Sequence, residues 1–405
     1  MKSVRPVVMP VCWLLAFMAL PGQERTKVGK NNLANTSATA PVGWVVKDTI
    51  ELKGVKVGLS QPVLVARRKG YLWFPTLTVL VNGDLLAQMS SHADVHTRTA
   101  TSLMSWSGDG GLTWTTPVPA AYGESTLRLP SGDQLLLPYY LYPKGRGVLA
   151  APYQLCPKGK RLVRQVEGGV TVAGWPSPDR SFAPQLGLAG FVFNGQTVRL
   201  KGGYLATLYG YFKDAKRYAL VAAESADGVD WTIRSVIADE DCGLAGSEGP
   251  CESALCRLKD GRIMCVFRMG GAPYGQSYSS DDGRTWAKPT AMAGPHSVQP
   301  SLAVMADGTV VLSGGRPGLY LWLNTDGAGS DWQQVDIRKH HNACLAEKIR
   351  RHDHTSSYTE VVPLDATHLL YIYDRIPHGW AAIPESSAGT NSVWVIRITL
   401  AGARG

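Results

Sequence analysis

Long hydrophobic runs are almost missing from this chain. Beyond residue 20 no stretch stays apolar for the roughly 18–20 residues that a membrane helix needs, so nothing downstream is expected to cross a bilayer. Helical stripes are scarce too. No long segment repeats apolar residues at a 3.6-residue period between recognisable caps, which points away from helical folds. Charged residues make up only 18% of the chain against 44% hydrophobic, so neither a disordered polymer nor a collagen-like chain fits. Cysteine is rare at seven, and its spacing matches no zinc site; no metal and no other cofactor is expected.

What is present begins with "MKSVRPVVMPVCWLLAFMALPGQ". Lys2 and Arg5 precede an apolar run from Val7 to Leu20, too short to span a membrane and laid out like a secretory signal. Residues 1–22 are therefore expected to be a cleaved leader, 23–43 a polar linker and 44–405 the folded unit, secreted or periplasmic. Loss of Lys2 and Arg5 takes the net charge of +9 to +7. Lys and Arg are scattered, with "IRRHDH" at 349–354 the densest cluster, so a solvated surface fits better than a nucleic-acid footprint. A basic surface still suits an acidic glycan partner. Six cysteines remain: Cys156, Cys242, Cys251, Cys256, Cys265 and Cys344. Cys256 with Cys265 across a turn, and Cys242 with Cys251 around a loop, are conceivable disulfides; buried free thiols are equally open.

One layout recurs six times: a short β-type run, a turn built mostly on Gly, Asp or Asn, and a second β-type run. The copies are "FPTLTVLVNGDLLAQMSS" (74–91), "STLRLPSGDQLLLPYY" (125–140), "QTVRLKGGYLATLYG" (196–210), "ESALCRLKDGRIMCVFR" (252–268), "PSLAVMADGTVVLSGGR" (300–316) and "YTEVVPLDATHLLYIYDR" (358–375). Their spacing is that of four-stranded propeller blades, so the fold expected is an all-β, six-bladed β-propeller, with "NSVWVIRITL" (391–400) supplying a late strand. Third β-type runs lead into "SGDGGLTW" (107–114) and "SSDDGRTW" (279–286), with worn copies at "SADGVDW" (225–231) and "NTDGAGSDW" (324–332). In such an element Asp binds turn amides, Gly takes the backbone angle and Trp buries its ring.

A hairpin brings the start of its first strand and the end of its second to the same end of a blade. The residues at those positions are Trp73, Phe74, Glu124, Glu252, Gln299 and Tyr358 at the starts, and 91–94, Tyr139, Tyr140, Tyr209, Arg268, Arg316, Asp374 and Arg375 at the ends. An acidic, basic and aromatic collection on one face is where a site is expected.

The repeated Ser-x-Asp-x-Gly-x-Thr-Trp element is similar to the Asp-box, or bacterial neuraminidase repeat, and the chain resembles the sialidase superfamily of six-bladed propellers. The resemblance implies a general base Glu and a substrate-binding Arg in one hairpin, matched by Glu252 and Arg268. It implies a further Arg after the next blade's second strand, matched by Arg316, a nucleophilic Tyr opening the last blade, matched by Tyr358, and an acid/base Asp after the first hairpin, matched by Asp94. The implied activity is exo-acting hydrolysis of terminal sialic acid or a related acidic sugar by a monomer, without cofactor. A neutral phenol suits this reaction because a carboxylate nucleophile would be repelled by the substrate's own carboxylate.

The pattern departs from the family at the first clamp arginine, where "YLWFPTL" places Trp73. One lost charged hydrogen bond costs about 1.5–3 kcal/mol. Arg375, Arg67, Arg68 or Arg98 could reach in as substitutes. A glycan-binding propeller without turnover, or a hydrolase or lyase acting on other acidic polysaccharides, therefore stays open beside the sialidase-type reading.

Overall fold

The computed structural model describes residues 43–402 apart from 98, 124, 146, 159, 175–177, 181–189, 272 and 381–389. The expected leader and nearly all of the expected linker lie outside the described residues, as do Glu124 and Arg98.

Among the described residues the chain is built of β-strands with a single α-helix, Ile337–Cys344. Asp336 caps that helix by accepting from the Lys339 amide at 2.8 Å, satisfying one of the orphan donors of its first turn. All six sequence hairpins are present as antiparallel pairs. They are Trp73–Val79 with Leu85–Ser90, Thr126–Arg128 with Gln134–Leu136, Val198–Leu200 with Gly203–Phe212, Ser253–Arg257 with Ile263–Phe267, Ser301–Val304 with Val310–Gly315, and Thr359–Pro363 with His368–Arg375.

Three hairpins extend into plain four-stranded antiparallel sheets, completed by Thr101–Ser107 and Val118–Ala121, by Pro273–Ser279 and Thr290–His296, and by Leu319–Asn324 and Gln333–Asp336. The other three depart from that plan. The last hairpin pairs with Thr390–Gly402, the expected late strand, and onto this strand two N-terminal strands add themselves, Val55–Ser60 and Val63–Lys69. The two ends of the described chain therefore share one sheet. The second and third hairpins lie in one eleven-stranded sheet, because Arg164–Ala173 pairs in parallel with Asp230–Ala238. The segment after the second hairpin thus supplies strands, Tyr142–Gly145, Val148–Cys156 and Arg164–Ala173, rather than a loose cover.

Central strands read as unbroken apolar runs because both of their faces are packed. In Ile263–Phe267 every residue is buried, and the side chains divide by parity: Ile263, Cys265 and Phe267 join one hydrophobic cluster, Met264 and Val266 the next. The same parity decides the cysteines. Cys265 pairs with Leu255 and Cys256 with Met264, so the two thiols emerge on opposite faces of the sheet. All six described cysteines are free, including Cys242 and Cys251, which pack in one cluster; the disulfide alternative is not realised.

The Asp-containing turns follow the expected logic. Asp109 accepts from the Thr113 amide at 2.9 Å and hydroxyl at 2.5 Å, and Asp281 accepts from the same groups of Thr285 at 2.9 and 2.7 Å. The indole N–H of Trp114, Trp231 and Trp332 donates to the carbonyl of Gly111, Gly228 and Gly329 respectively. Gly283 takes a positive φ of 82°, a backbone angle that favours glycine, and a Cβ there would press on the Leu205 side chain at 2.8 Å.

Candidate active site

Three strand ends converge on one hydroxyl. Glu252 stands immediately before Ser253–Arg257, Arg268 immediately after Ile263–Phe267, and Tyr358 immediately before Thr359–Pro363. The Tyr358 hydroxyl donates a short hydrogen bond to Glu252 Oε1. Arg268 Nη1 spans the pair, 2.9 Å from Glu252 Oε2 and 3.2 Å from the phenolic oxygen, while its Nη2 donates to Glu248 Oε1 at 2.7 Å. Glu252 is 8% exposed, and Tyr358 is half-buried as a residue.

The walls around Tyr358 come from other sheets. The Phe74 ring lies 4.6 Å from the Tyr358 ring, centroid to centroid. The Arg316 guanidinium sits 5.6 Å over the Tyr358 ring and 4.5 Å over that of Trp380, and its Nη2 donates to the Ser356 carbonyl at 2.6 Å. No carboxylate forms an ion pair with Arg316 among the described residues, whereas Arg268 has two. Among the described residues Arg316 is thus the guanidinium of this site without an ion-pair partner.

Strained backbone positions surround the phenol, and one buried acid holds Phe74 and the segment just before Ser357. Phe74, Arg316 and Ser357 have φ of 49°, 73° and 64°. Such left-handed conformations are costly for side chains of this size and persist where their surroundings over-determine them. Asp374, 0% exposed, accepts from the Phe74 amide at 3.2 Å, the Ser356 amide at 2.7 Å and the Thr355 hydroxyl at 2.9 Å, and also from the Ser356 hydroxyl. It ties the entry of the first hairpin to the loop that presents Tyr358.

Electrostatics set the protonation states. Burial, followed by the charge of Glu252, pushes the Tyr358 phenol well above its usual value, against the pull of Arg268 and Arg316. Burial alone would lower the Arg268 pKa; Glu252, Tyr358 and Glu248 outweigh it and keep the guanidinium charged. Asp94 lies in the loop after Leu85–Ser90. Although exposed as a residue, it lines a 120 Å³ cavity with Phe74, His92, Tyr122, Tyr139 and Tyr140. Desolvation of its carboxyl in that crowded place, then the charge of Glu252, raise its pKa; Arg316 and Arg268 act the other way.

The sequence candidates thus divide. Tyr358, Glu252, Arg268 and Arg316 come together, and Asp94 stands within electrostatic reach of them. Trp73 is buried at 2% exposure, stacks on Phe74 and donates to the His92 carbonyl, so it braces the wall instead of facing a ligand. Arg375 is no substitute for the missing clamp residue: it donates to the Lys348 carbonyl and pairs with Glu347, which also takes Arg67. Gln299 binds Asn194 and lines a separate cavity with Thr76, Thr126, Gln196 and Glu360. Sequence reasoning missed Glu248, Trp380 and the bracing role of Asp374. Glu248 had a local signal, a second acid four residues before Glu252 in "SEGPCES". Trp380 had none.

Comparison with known proteins adds the following. Residues 173–370 match the model of the BNR repeat-like domain. No curated protein matches the chain. Among solved structures, a protein of unknown function from Dyadobacter fermentans superposes with a TM-score of 0.64 at 17% identity, covering 85% of this chain and 99% of that one. The α-L-arabinofuranosidase Arb93A of Fusarium graminearum, in complex with an iminosugar inhibitor, superposes with a TM-score of 0.57 at 15% identity, covering 83% and 97%. The NanB sialidase of Streptococcus pneumoniae superposes with a TM-score of 0.54 at 16% identity, covering 85% and 71%. At these identities the likeness is one of fold.

Proposed function

We propose that this chain, which carries a BNR repeat-like domain on a sialidase-like fold, is a retaining exo-glycosidase that releases a terminal acidic sugar, sialic acid or a relative, through a tyrosine nucleophile. The observation that carries this reading is the Tyr358 hydroxyl donating to Glu252 beneath Arg268. A phenol has no other evident reason to be desolvated against a carboxylate between two guanidinium groups. That glycosidases share the fold supports the reaction class.

In the first step the Tyr358 oxygen bonds to the anomeric carbon as the glycosidic bond breaks. The phenolic proton passes to Glu252, and Asp94 gives its proton to the departing oxygen. In the second, Asp94 takes a proton from water, the resulting hydroxide displaces the phenolate at the anomeric carbon, and Glu252 returns the proton to Tyr358. The raised pKa of Asp94 favours the protonated form that the first step requires. Arg316, without a carboxylate partner among the described residues, is assigned to the substrate carboxylate, with Arg268 chiefly ordering the Tyr–Glu pair.

Six blades around one axis belong to the same proposal. In support, the first strands of the hairpins adjoin one another in turn, with Trp73–Val79 beside Thr359–Pro363 and Thr78 bonded to Thr126. Export is likewise proposed from residues 1–22; a mature N-terminus at Met1 in the expressing cell would overturn it.

The test is release of a fluorogenic sialoside, with sulfated, uronic and arabinofuranosyl glycosides alongside. Turnover abolished in Tyr358→Phe is expected; turnover indifferent to that change removes the nucleophile. Glycan retention without release from any substrate would make the protein a binding module.

A further inference from the structure

The cavity that Asp94 lines has a neighbour. Its tyrosines Tyr122, Tyr139 and Tyr140 also line a second cavity of 270 Å³, which continues to Tyr142, Tyr153 and Gln165. Neither space alone reaches the roughly 300 Å³ of an ordinary ligand site. Tyr122, Tyr139 and Tyr140 line both, so the two spaces lie side by side along one aromatic wall. The far wall is made by the strands that follow the second hairpin, Tyr142–Gly145, Val148–Cys156 and Arg164–Ala173. The tyrosines are held in place: Tyr139 bonds the Tyr209 hydroxyl at 2.6 Å, Tyr140 meets His96 Nδ1 at 3.2 Å, and the Tyr122 and Tyr139 ring centroids are 5.1 Å apart. All are half-buried.

We infer that this groove is the subsite for the leaving-group side of a glycan, taking a neutral oligosaccharide of two or more residues by stacking sugar faces on Tyr122, Tyr140 and Tyr153. The inference rests on the proposed hydrolysis for its orientation: the acid that protonates the departing oxygen lines the groove's inner end, so whatever leaves lies along the groove. Aromatic planes with few charges suit sugar rings, whose C–H faces pack on aromatic rings while their hydroxyls stay solvated. Among the described residues neither cavity is lined by lysine or arginine, and tyrosines make up most of the shared wall.

Two measurements separate this inference from the hydrolase reading. The first is saturation-transfer NMR of the full chain with neutral linear di- to tetrasaccharides bearing no terminal acidic sugar. Contact is expected to strengthen with chain length and to weaken in Tyr153→Ala, while Tyr153→Phe retains it. The second is kcat/KM for a sialylated tetrasaccharide relative to an aryl sialoside. That ratio is expected to fall roughly three- to tenfold in Tyr153→Ala, the scale of one aromatic contact. Neutral glycans that do not bind, or that bind Tyr153→Ala as well as the parent, overturn the groove, as does an unchanged ratio. Groove binding without turnover of any sialoside would leave the subsite standing and remove the hydrolase assignment alone.

Discussion

Glu252→Gln separates a base from a mere ion-pair partner, because its two consequences differ in kind. The amide keeps the shape and removes the charge. Arg268, its side chain 15% exposed, then loses one carboxylate but keeps Glu248 at 2.7 Å. Breaking a buried pair outright costs about 3–5 kcal/mol when the surviving charge is left alone. Here Glu248 remains and water has partial access, so the expected loss of stability is that of one charged hydrogen bond, about 1.5–3 kcal/mol. The phenol responds in the other sense. Its pKa is raised by burial first and by the Glu252 charge second, with Arg268 and Arg316 opposing. Without that charge the guanidinium groups are less opposed and the phenol ionises at lower pH than in the parent. Turnover nevertheless falls roughly 10²–10⁴-fold, the usual worth of a general base. Tyrosinate absorbance during an alkaline titration reads the shift. Since the chain has 16 tyrosines, the Tyr358 signal is taken as the difference between Glu252→Gln and the same variant carrying Tyr358→Phe. A Tyr358 titration that stays put or moves upward, or a turnover loss below tenfold, refutes the coupling on which the mechanism depends.

Asp94 supplies a pH test: as a general acid with a raised pKa it is active while protonated, so kcat is expected to fall as pH rises through that pKa. In Asp94→Asn this alkaline limb should vanish, with rates roughly 10²–10⁴-fold lower on poor leaving groups and far less affected on aryl leaving groups. Asp374→Asn replaces a four-donor acceptor by a group presenting N–H to some of those donors; denaturant unfolding should show a loss of about 1–3 kcal/mol, and kcat should fall with little change in KM. For Asp281, hydrogen bonds from Thr285 hold the carboxyl at about 2, below the ordinary 3.8. A depressed folded-state pKa gives stability that is present above 3.8 and lost as pH falls toward 2. Asp281→Asn should flatten the parent's decline in thermal stability across that window, and an unchanged decline would remove the turn's share in acid unfolding.

The sequence by itself determined the hairpins and the chemical character of their ends. Short β-type runs around Gly, Asp and Asn turns are local features, so all six pairs, the Asp–Thr turns and the Glu252, Arg268 and Tyr358 positions could be read without tertiary information. Contacts between distant segments could not. Val55–Ser60 and Val63–Lys69 join the last sheet through strand edges, and edge pairing leaves no periodic mark. The parallel joint between Arg164–Ala173 and Asp230–Ala238 is hidden for the same reason. Arg375 illustrates the limit at the site: its place at a strand end was legible, but Glu347, brought near by the chain's path, decided what its guanidinium would bind. Charge, size and turn chemistry belong to the residue; partners, desolvation and hence pKa belong to the packing, which only the folded chain supplies.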